Sequence, residues 1–208
     1  GSRGQLVEIA DALVRTHPDV MLGGGALYFA PTGPGSVRTD DGLYDELELA
    51  GYVRVGTAAE LTAAVAAGAP RLFGVFTPDL MTYVAARRPE TTEPTLPAMA
   101  MAALTTLDRD PHGFFAMIEG GRIDHGGHAQ QLVDSVQETL AFDDTVAQVV
   151  TWARARGNTT VLVTADHECG GLEVVAPAPA GTYPTVRWRW GAHTNARRVR
   201  APVSSCSR

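Results

Sequence analysis

Six side chains with metal-binding chemistry gather in three short stretches of this sequence. They are Glu119, Asp124, His128, Asp166, His167 and His193. Carboxylates and imidazoles are the common ligands of catalytic zinc, and magnesium prefers carboxylate oxygens. The first stretch is GFFAMIEGGRIDHGGH, the second ends in TADH, and the third is GAHTN. Their residue types therefore predict a metal site.

The spacing of these residues supports that prediction. Asp124 and His128 are four residues apart, so on a helix they project from one face, about 6 Å apart along the axis. Taken alone, such a pair is more typical of a helix cap with a surface histidine, and TADH alone is typical of a strand that ends in a turn. However, glycine pairs lie beside both motifs, and most candidates follow predicted strands, where open α/β sheets place their ligands. The combination favours metal binding.

Two kinds of cation suit these ligands. Aspartate with histidine favours catalytic zinc, whereas the carboxylate of Glu119 suits magnesium. Two zinc ions about 4 Å apart would clamp the attacking and leaving oxygens of a phosphoryl transfer. Cys169 follows TADHE directly and is either a thiolate ligand or a small buried apolar residue. We favour the second interpretation, because an isolated cysteine behaves as a small apolar side chain.

Composition excludes several functional classes. The chain has 208 residues and is 45% hydrophobic, which is enough for a core and excludes disorder by composition. Its net charge is −6, and no basic face alternates with aromatic residues, so we expect no nucleic-acid partner. No apolar run reaches the roughly 18 residues of a membrane span, and the first residues lack a signal-peptide pattern. All 17 basic residues are arginine, so no lysine can act as a nucleophile.

Helical and strand patterns alternate along the chain, which predicts an α/β fold with a mainly parallel sheet flanked by helices. Apolar runs predict strands at residues 19–25, 52–55, 71–76, 114–119, 158–167, 172–175 and 185–190. Helical spacing predicts helices at residues 5–15, 42–49, 57–67, 95–107 and from just after 128 to about 156. We assign residues 1–196 to one partial α/β domain and 197–208 to an irregular tail rich in arginine and serine.

The three motifs together resemble the alkaline phosphatases, in sequence and in order. DVMLGGGALYF, GYVRVGTAAEL and LFGVF also look like that family, so the resemblance extends along nearly the whole chain. It implies an alkaline-phosphatase-like fold, incomplete here, and hydrolysis of phosphate monoesters through a phosphoseryl intermediate with two zinc ions and one magnesium ion. It also implies a periplasmic or secreted location.

Transferred by motif, the resemblance assigns each ligand candidate to a cation. Glu119 would bind magnesium, whereas Asp124, His128 and His193 would hold the first zinc. Asp166 and His167 would belong to the second zinc, and His125 would lie next to the substrate phosphate. Many bacterial members have threonine after TADHE, where this chain has Cys169.

The nucleophile is the main departure from the family pattern. The family's serine lies in an Asp-Ser-Ala type motif upstream of every motif found here, so we expect no catalytic serine in this chain. Only Ser135 follows an aspartate, and it lies roughly 10 Å along the helix from His128. We therefore interpret Ser135 as a helix-surface residue.

Three hypotheses remain open at this point. The chain is part of a phosphate monoesterase, or a non-catalytic zinc-binding fragment or assembly partner of a missing N-terminal segment, or part of a related metal-dependent phosphodiesterase or sulfatase. The RIDHGGH and TADHE strings favour the first. Missing strands would leave an exposed apolar sheet edge, so a homodimer or poor solubility is also expected.

A metal count on the purified chain tests the first zinc site. We expect about one zinc per chain by mass spectrometry, since three protein ligands are the usual set at a catalytic zinc, and we expect that zinc to be lost in His193→Ala. Equal zinc content in the two proteins would remove His193 from the ligand set.

Overall fold

The structure is a computed structural model that describes residues 4–189. It divides the chain into two compact units, which are described separately below. The first comprises Gly1–Thr82 and Arg87–Ile118, and the second comprises Tyr83–Ala86 and Glu119–Arg208. His193 and the predicted tail at 197–208 lie outside the described residues. No helix among residues 4–189 has the length and apolar character needed to cross a membrane.

The first unit is an α/β structure built on a short parallel sheet. Its elements are α1 (Leu6–Arg15), β1 (Val20–Gly23), a 3-10 turn (Ala26–Tyr28), α2 (Tyr44–Leu49), β2 (Val53–Val55), α3 (Ala58–Ala66), β3 (Leu72–Val75) and α4 (Leu96–Leu107). The strand order is β1-β3-β2, and both pairings are parallel. The predicted α/β class with a parallel sheet is confirmed.

The central strand β3 explains how helices cover both faces of this sheet. Successive side chains of a strand point to opposite faces, so Phe73 and Leu72 enter different cores. Phe73 packs with residues of α1 and α2, including Val14 and Leu47. Leu72 packs with residues of α3 and α4, including Leu61. A strand covered on both faces requires an all-apolar sequence, and LFGV meets that requirement.

Local capping fixes where α3 begins. The Thr57 hydroxyl accepts a hydrogen bond of 3.1 Å from the Glu60 amide. The Glu60 carboxylate in turn accepts a bond of 2.7 Å from the Gly56 amide. The Glu60 amide, which the helix itself leaves unpaired, and the Gly56 amide just before the helix are thereby both satisfied, so Thr57 caps α3.

The second unit is built around one long helix. It contains a 3-10 turn (Val84–Ala86), α5 (Arg122–His128), α6 (Leu132–Arg156), β4 (Leu172–Ala176) and β5 (Thr185–Trp188). The strands β4 and β5 form an antiparallel hairpin with an irregularity between Val174 and Ala176. Helix α6 is capped by Gly157, whose φ of 74° is the left-handed conformation common at the C-terminal ends of helices.

Two predicted strands are absent. Residues 114–119 and 158–167 have no regular secondary structure, and neither segment pairs with a strand among the described residues. Several of their apolar side chains are exposed, with Phe115 at 90% and Leu162 at 89%. A strand exists only when a neighbour accepts its hydrogen bonds, so an apolar sequence alone does not make one.

Two leucines of α2 test the core of the first unit. Leu47 is fully buried, whereas Leu49 is 90% exposed on the same short helix. We expect Leu47→Ala to lower the free energy of unfolding by about 2–5 kcal/mol, because it leaves a cavity against Phe73. Leu49→Ala should change it by less than about 0.5 kcal/mol.

Urea unfolding followed by circular dichroism measures both variants of α2. Since both replace leucine with alanine in one helix, differences in helix propensity cancel. Equal destabilisation of the two variants would contradict the assigned packing.

Candidate metal centre

The short helix α5 carries the RIDHGGH motif and packs closely on its neighbours through two glycines. A Cβ atom added to Gly126 would lie 2.8 Å from the Ser135 hydroxyl oxygen and 2.9 Å from the Ser135 amide nitrogen of α6. One added to Gly127 would lie 3.1 Å from the Cys169 Cβ and 3.2 Å from its sulfur. A Cβ atom at Gly126 would clash with the backbone of α6, and one at Gly127 would force Cys169 to move by a few tenths of an ångström. Glycine at both positions therefore allows this close approach.

Asp124 and His128 lie on one face of α5, as their spacing predicts. The His128 Nε2 and Asp124 Oδ2 atoms are 3.5 Å apart. The His128 side chain is 68% exposed and the Asp124 side chain 34%, so the pair is open to solvent on one side. The other oxygen, Asp124 Oδ1, is buried and has no hydrogen-bond partner among the described residues. A buried carboxylate oxygen without a donor is costly, and a cation would satisfy it.

Cys169 brings a third ligand type to the same place. Its sulfur lies 3.6 Å from the Asp124 main-chain oxygen, to which the thiol donates a weak hydrogen bond. The ligand atoms of Asp124, His128 and Cys169 all lie within 4.8 Å of one another. Burial first, and then the hydrogen bond and negative charge of Asp124, raise the pKa of the Cys169 thiol to about 11.

The expectation that Cys169 is buried is wrong. Its side chain is only partly buried and lies beside two candidate ligands. Sequence spacing could not indicate this, because 45 residues separate Cys169 from Asp124. The only available signal was its position directly after TADHE.

Asp166 and His167 form a second, more exposed pair. The His167 Nε2 and Asp166 Oδ2 atoms are 3.2 Å apart. The His167 amide also donates to Asp166 Oδ1 over 3.0 Å. Neither residue belongs to the cluster around Asp124, and neither does Glu119, which is exposed. Within residues 4–189, the structure therefore brings together two of the five described ligand candidates at one point and two at another.

Arg122 and His125 form a polar pair on α5. An Arg122 terminal nitrogen lies 3.2 Å from His125 Nδ1. Since a guanidinium only donates hydrogen bonds, Nδ1 must accept, which leaves the proton of a neutral ring on Nε2. The guanidinium carbon also lies 3.6 Å from the centre of the Tyr83 ring. Arg122 Nε is buried without a partner among the described residues.

The expectation that Ser135 lies on the helix surface is wrong. Ser135 is buried in the first turns of α6, where Gly126 packs against it. Its hydroxyl oxygen is buried and has no hydrogen-bond partner in the described part of the chain. The periodicity of α6 does not indicate which of its faces packs against α5. The prediction from sequence therefore placed Ser135 on the surface.

Comparison with known proteins identifies the wider family. A sequence model of the family "Alkaline phosphatase" matches residues 2–196. Alkaline phosphatase H of Pseudomonas aeruginosa is 34% identical over 83% of this chain and 40% of its own length. This chain thus spans well under half of that relative.

Solved structures agree with the sequence comparison. The alkaline phosphatase of the Antarctic bacterium TAB5 matches with a TM-score of 0.76 and 26% identity, over 94% of this chain and 56% of that chain. A variant of the TAB5 enzyme with magnesium bound in its M3 site matches with a TM-score of 0.73 and 29% identity, over 85% of this chain and 48% of that one. The chain belongs to the alkaline phosphatase family, and it covers only part of that family's fold.

Proposed function

We propose that this chain supplies the metal-binding portion of a phosphate monoester hydrolase. The observation that carries the proposal is the Asp124–His128 pair, whose ligand atoms face each other at 3.5 Å beside an unpartnered carboxylate oxygen. Family membership makes a phosphate monoester the expected substrate. The family is metal-dependent, and a related structure holds magnesium.

The residues present fit divalent cations. Asp124, His128 and His193 would hold the first zinc, Asp166 and His167 would contribute to the second, and Glu119 would bind magnesium. Asp124 offers a negative charge and His128 a neutral nitrogen, the donor set that catalytic zinc prefers. Bound zinc would supply positive charge to phosphoryl oxygens and make a water molecule acidic enough to attack at neutral pH.

His125 has a separate role in this proposal. Because Arg122 donates to its Nδ1 atom, the His125 ring would present a protonated Nε2. That N–H group would donate a hydrogen bond to an anionic phosphate oxygen next to the metal ligands. Arg122 would hold the ring in this tautomer, and the Tyr83 ring would hold the guanidinium in place.

The nucleophilic serine would come from a segment other than the described one. Residues 4–189 contain two serines, Ser36 and Ser135. The Ser36 hydroxyl donates to the Ala30 carbonyl over 2.8 Å and accepts from the Arg38 amide over 3.0 Å, so it is engaged in its own loop. Ser135 is buried against Gly126. Neither is arranged as an activated nucleophile, which needs an adjacent base or cation.

One observation favours the alternative that this chain acts as a zinc-binding assembly partner. Apolar side chains are exposed in both segments that lack strand neighbours, Phe115 and Met117 in one and Leu162 and Val163 in the other. Exposed apolar segments of this kind are suited to pairing with another chain or segment. The homodimer expected from an exposed sheet edge and the extracytoplasmic location implied by the resemblance stay predictions.

Zinc titration of ligand variants tests the site directly. We expect Asp124→Asn and His128→Ala each to weaken zinc binding by at least about 100-fold. Loss of a residue that only supports a ligand weakens metal binding by up to about 100-fold, and loss of a ligand itself should cost at least as much. His112→Ala is the matched control, because His112 is 90% exposed and pairs with a nearby carboxylate without joining the cluster. Isothermal titration calorimetry measures all four proteins. Unchanged affinity in Asp124→Asn would refute the proposed site.

Turnover of nitrophenyl phosphate separates the hydrolase from the inactive partner. We expect the 208-residue chain alone to show little activity, because no described serine can carry the covalent step. Mixing it with a separately produced N-terminal segment of an alkaline phosphatase should restore chelator-sensitive turnover, and the His128→Ala chain should fail to do so. Robust, chelator-sensitive turnover by the chain alone would contradict the proposal that the nucleophile lies elsewhere.

A further inference from the structure

We propose that the thiolate of Cys169 is a further ligand at the Asp124–His128 site, in addition to the His193 assigned above. This inference rests on the proposed function, since it concerns the same bound cation. It turns an oxygen–nitrogen site into a mixed carboxylate, imidazole and thiolate centre. Such a donor set selects zinc, cobalt or cadmium over magnesium, because thiolate sulfur prefers the softer cations.

The distances among the three ligand atoms support this assignment. They lie within 4.8 Å of one another without a cation. Tetrahedral zinc, with bonds of about 2.0–2.3 Å, places its ligand atoms roughly 3.3–3.8 Å apart. The widest pair must therefore close by no more than about 1.5 Å. The His128 side chain is 68% exposed and free to make that adjustment by rotation.

The backbone around Cys169 is held in place by close packing on two sides. On one side, a Cβ atom added to Gly127 of α5 would lie only 3.1 Å from the Cys169 Cβ. A Cβ atom added to Gly170 would lie 2.7 Å from the Trp188 ring of β5 and 2.8 Å from the Gly127 oxygen. The residue after Cys169 is thus fixed between α5 and the hairpin. This packing positions the sulfur beside Asp124 and does not depend on a bound ion.

Coordination replaces the thiol proton of Cys169 with the cation. The S–H bond breaks, the proton leaves to solvent, and the sulfur lone pair binds the cation. The thiol gives up its weak hydrogen bond to the Asp124 main-chain oxygen, which is 3.6 Å long and therefore a small loss. The unpartnered Asp124 Oδ1 gains a cation in the same step.

The competing interpretation is that Cys169 only packs and donates to the Asp124 main chain. Serine preserves the donor and nearly the size of cysteine but is a poor ligand for soft cations. Cys169→Ser therefore separates ligation from packing, and Cys169→Ala removes both the donor and the ligand. The other cysteine, Cys206, lies outside the described residues, and Cys206→Ser leaves Cys169 as the only thiol.

Cobalt spectroscopy provides the test. In Cys206→Ser, we expect cobalt to produce a near-ultraviolet thiolate-to-cobalt charge-transfer band and the release of one proton from the thiol. The band should be absent in the double variant with Cys169→Ser. Cadmium affinity should fall by at least about tenfold in that double variant, whereas magnesium affinity should stay the same.

The possible failures are distinguishable. Cobalt binding without a thiolate band in Cys206→Ser would overturn the assignment of Cys169 and leave the Asp124–His128 site intact. Cobalt binding that is absent, or that is unaffected by Asp124→Asn, would overturn the proposed function as well. If Cys169→Ser failed to fold, the presence or absence of the band in Cys206→Ser would still decide the question. A second measurement on Cys206→Ser is whether bound zinc protects its single thiol from alkylation.

Discussion

The close packing of the glycine pair in α5 is the constraint on which the candidate site depends. Asp124 and His128 share one face of this single short helix, and Gly126 lies on the opposite side, two residues from Asp124. Because Gly126 has no side chain, α5 approaches the Ser135 backbone of α6 directly. Gly127 allows the Cys169 loop to approach from another side. The seven residues of α5 thus include both the metal-ligand candidates and the two glycines whose close packing holds this helix in position.

The buried charged groups of α5 indicate that a cation and an anion would both bind there. The helix carries a buried carboxylate oxygen, Asp124 Oδ1, and a buried guanidinium nitrogen, Arg122 Nε, and neither has a partner within residues 4–189. Each unsatisfied buried group of this kind costs about 1–3 kcal/mol. A divalent cation at Asp124 and an anion near Arg122 would remove both costs. A site for a metal-bound phosphate group has this combination of charges.

Local sequence rules predicted most helices and the parallel sheet, because the signals are carried by a few adjacent residues. Thr57 and Glu60 mark the start of α3, Gly157 marks the end of α6, and the apolar run of β3 identifies a strand covered on both faces. The same rules failed at residues 114–119 and 158–167. Strand formation there depends on distant neighbours, about which an apolar run says nothing.

At the candidate site, too, features within one helix could be predicted from the sequence, whereas contacts between separate elements could not. The spacing of Asp124 and His128 sufficed to predict that they share a face, since one helical turn fixes their relation. The contact between Cys169 and α5 and the burial of Ser135 both arise from the packing of separate elements. A single sequence contains no direct signal for such contacts. Motif resemblance identified the family, but it favoured neither the thiol as a ligand nor the buried serine.

The central claim is that His128 and Asp124 bind one divalent cation through the side chains that face each other on α5. Long-range proton–nitrogen NMR of the histidine rings, recorded during zinc titration, tests it at the level of a single atom. We predict a large shift of the His128 Nε2 resonance at stoichiometric zinc, with no change at the exposed His112. Zinc binding that leaves the His128 Nε2 resonance unmoved would contradict this account.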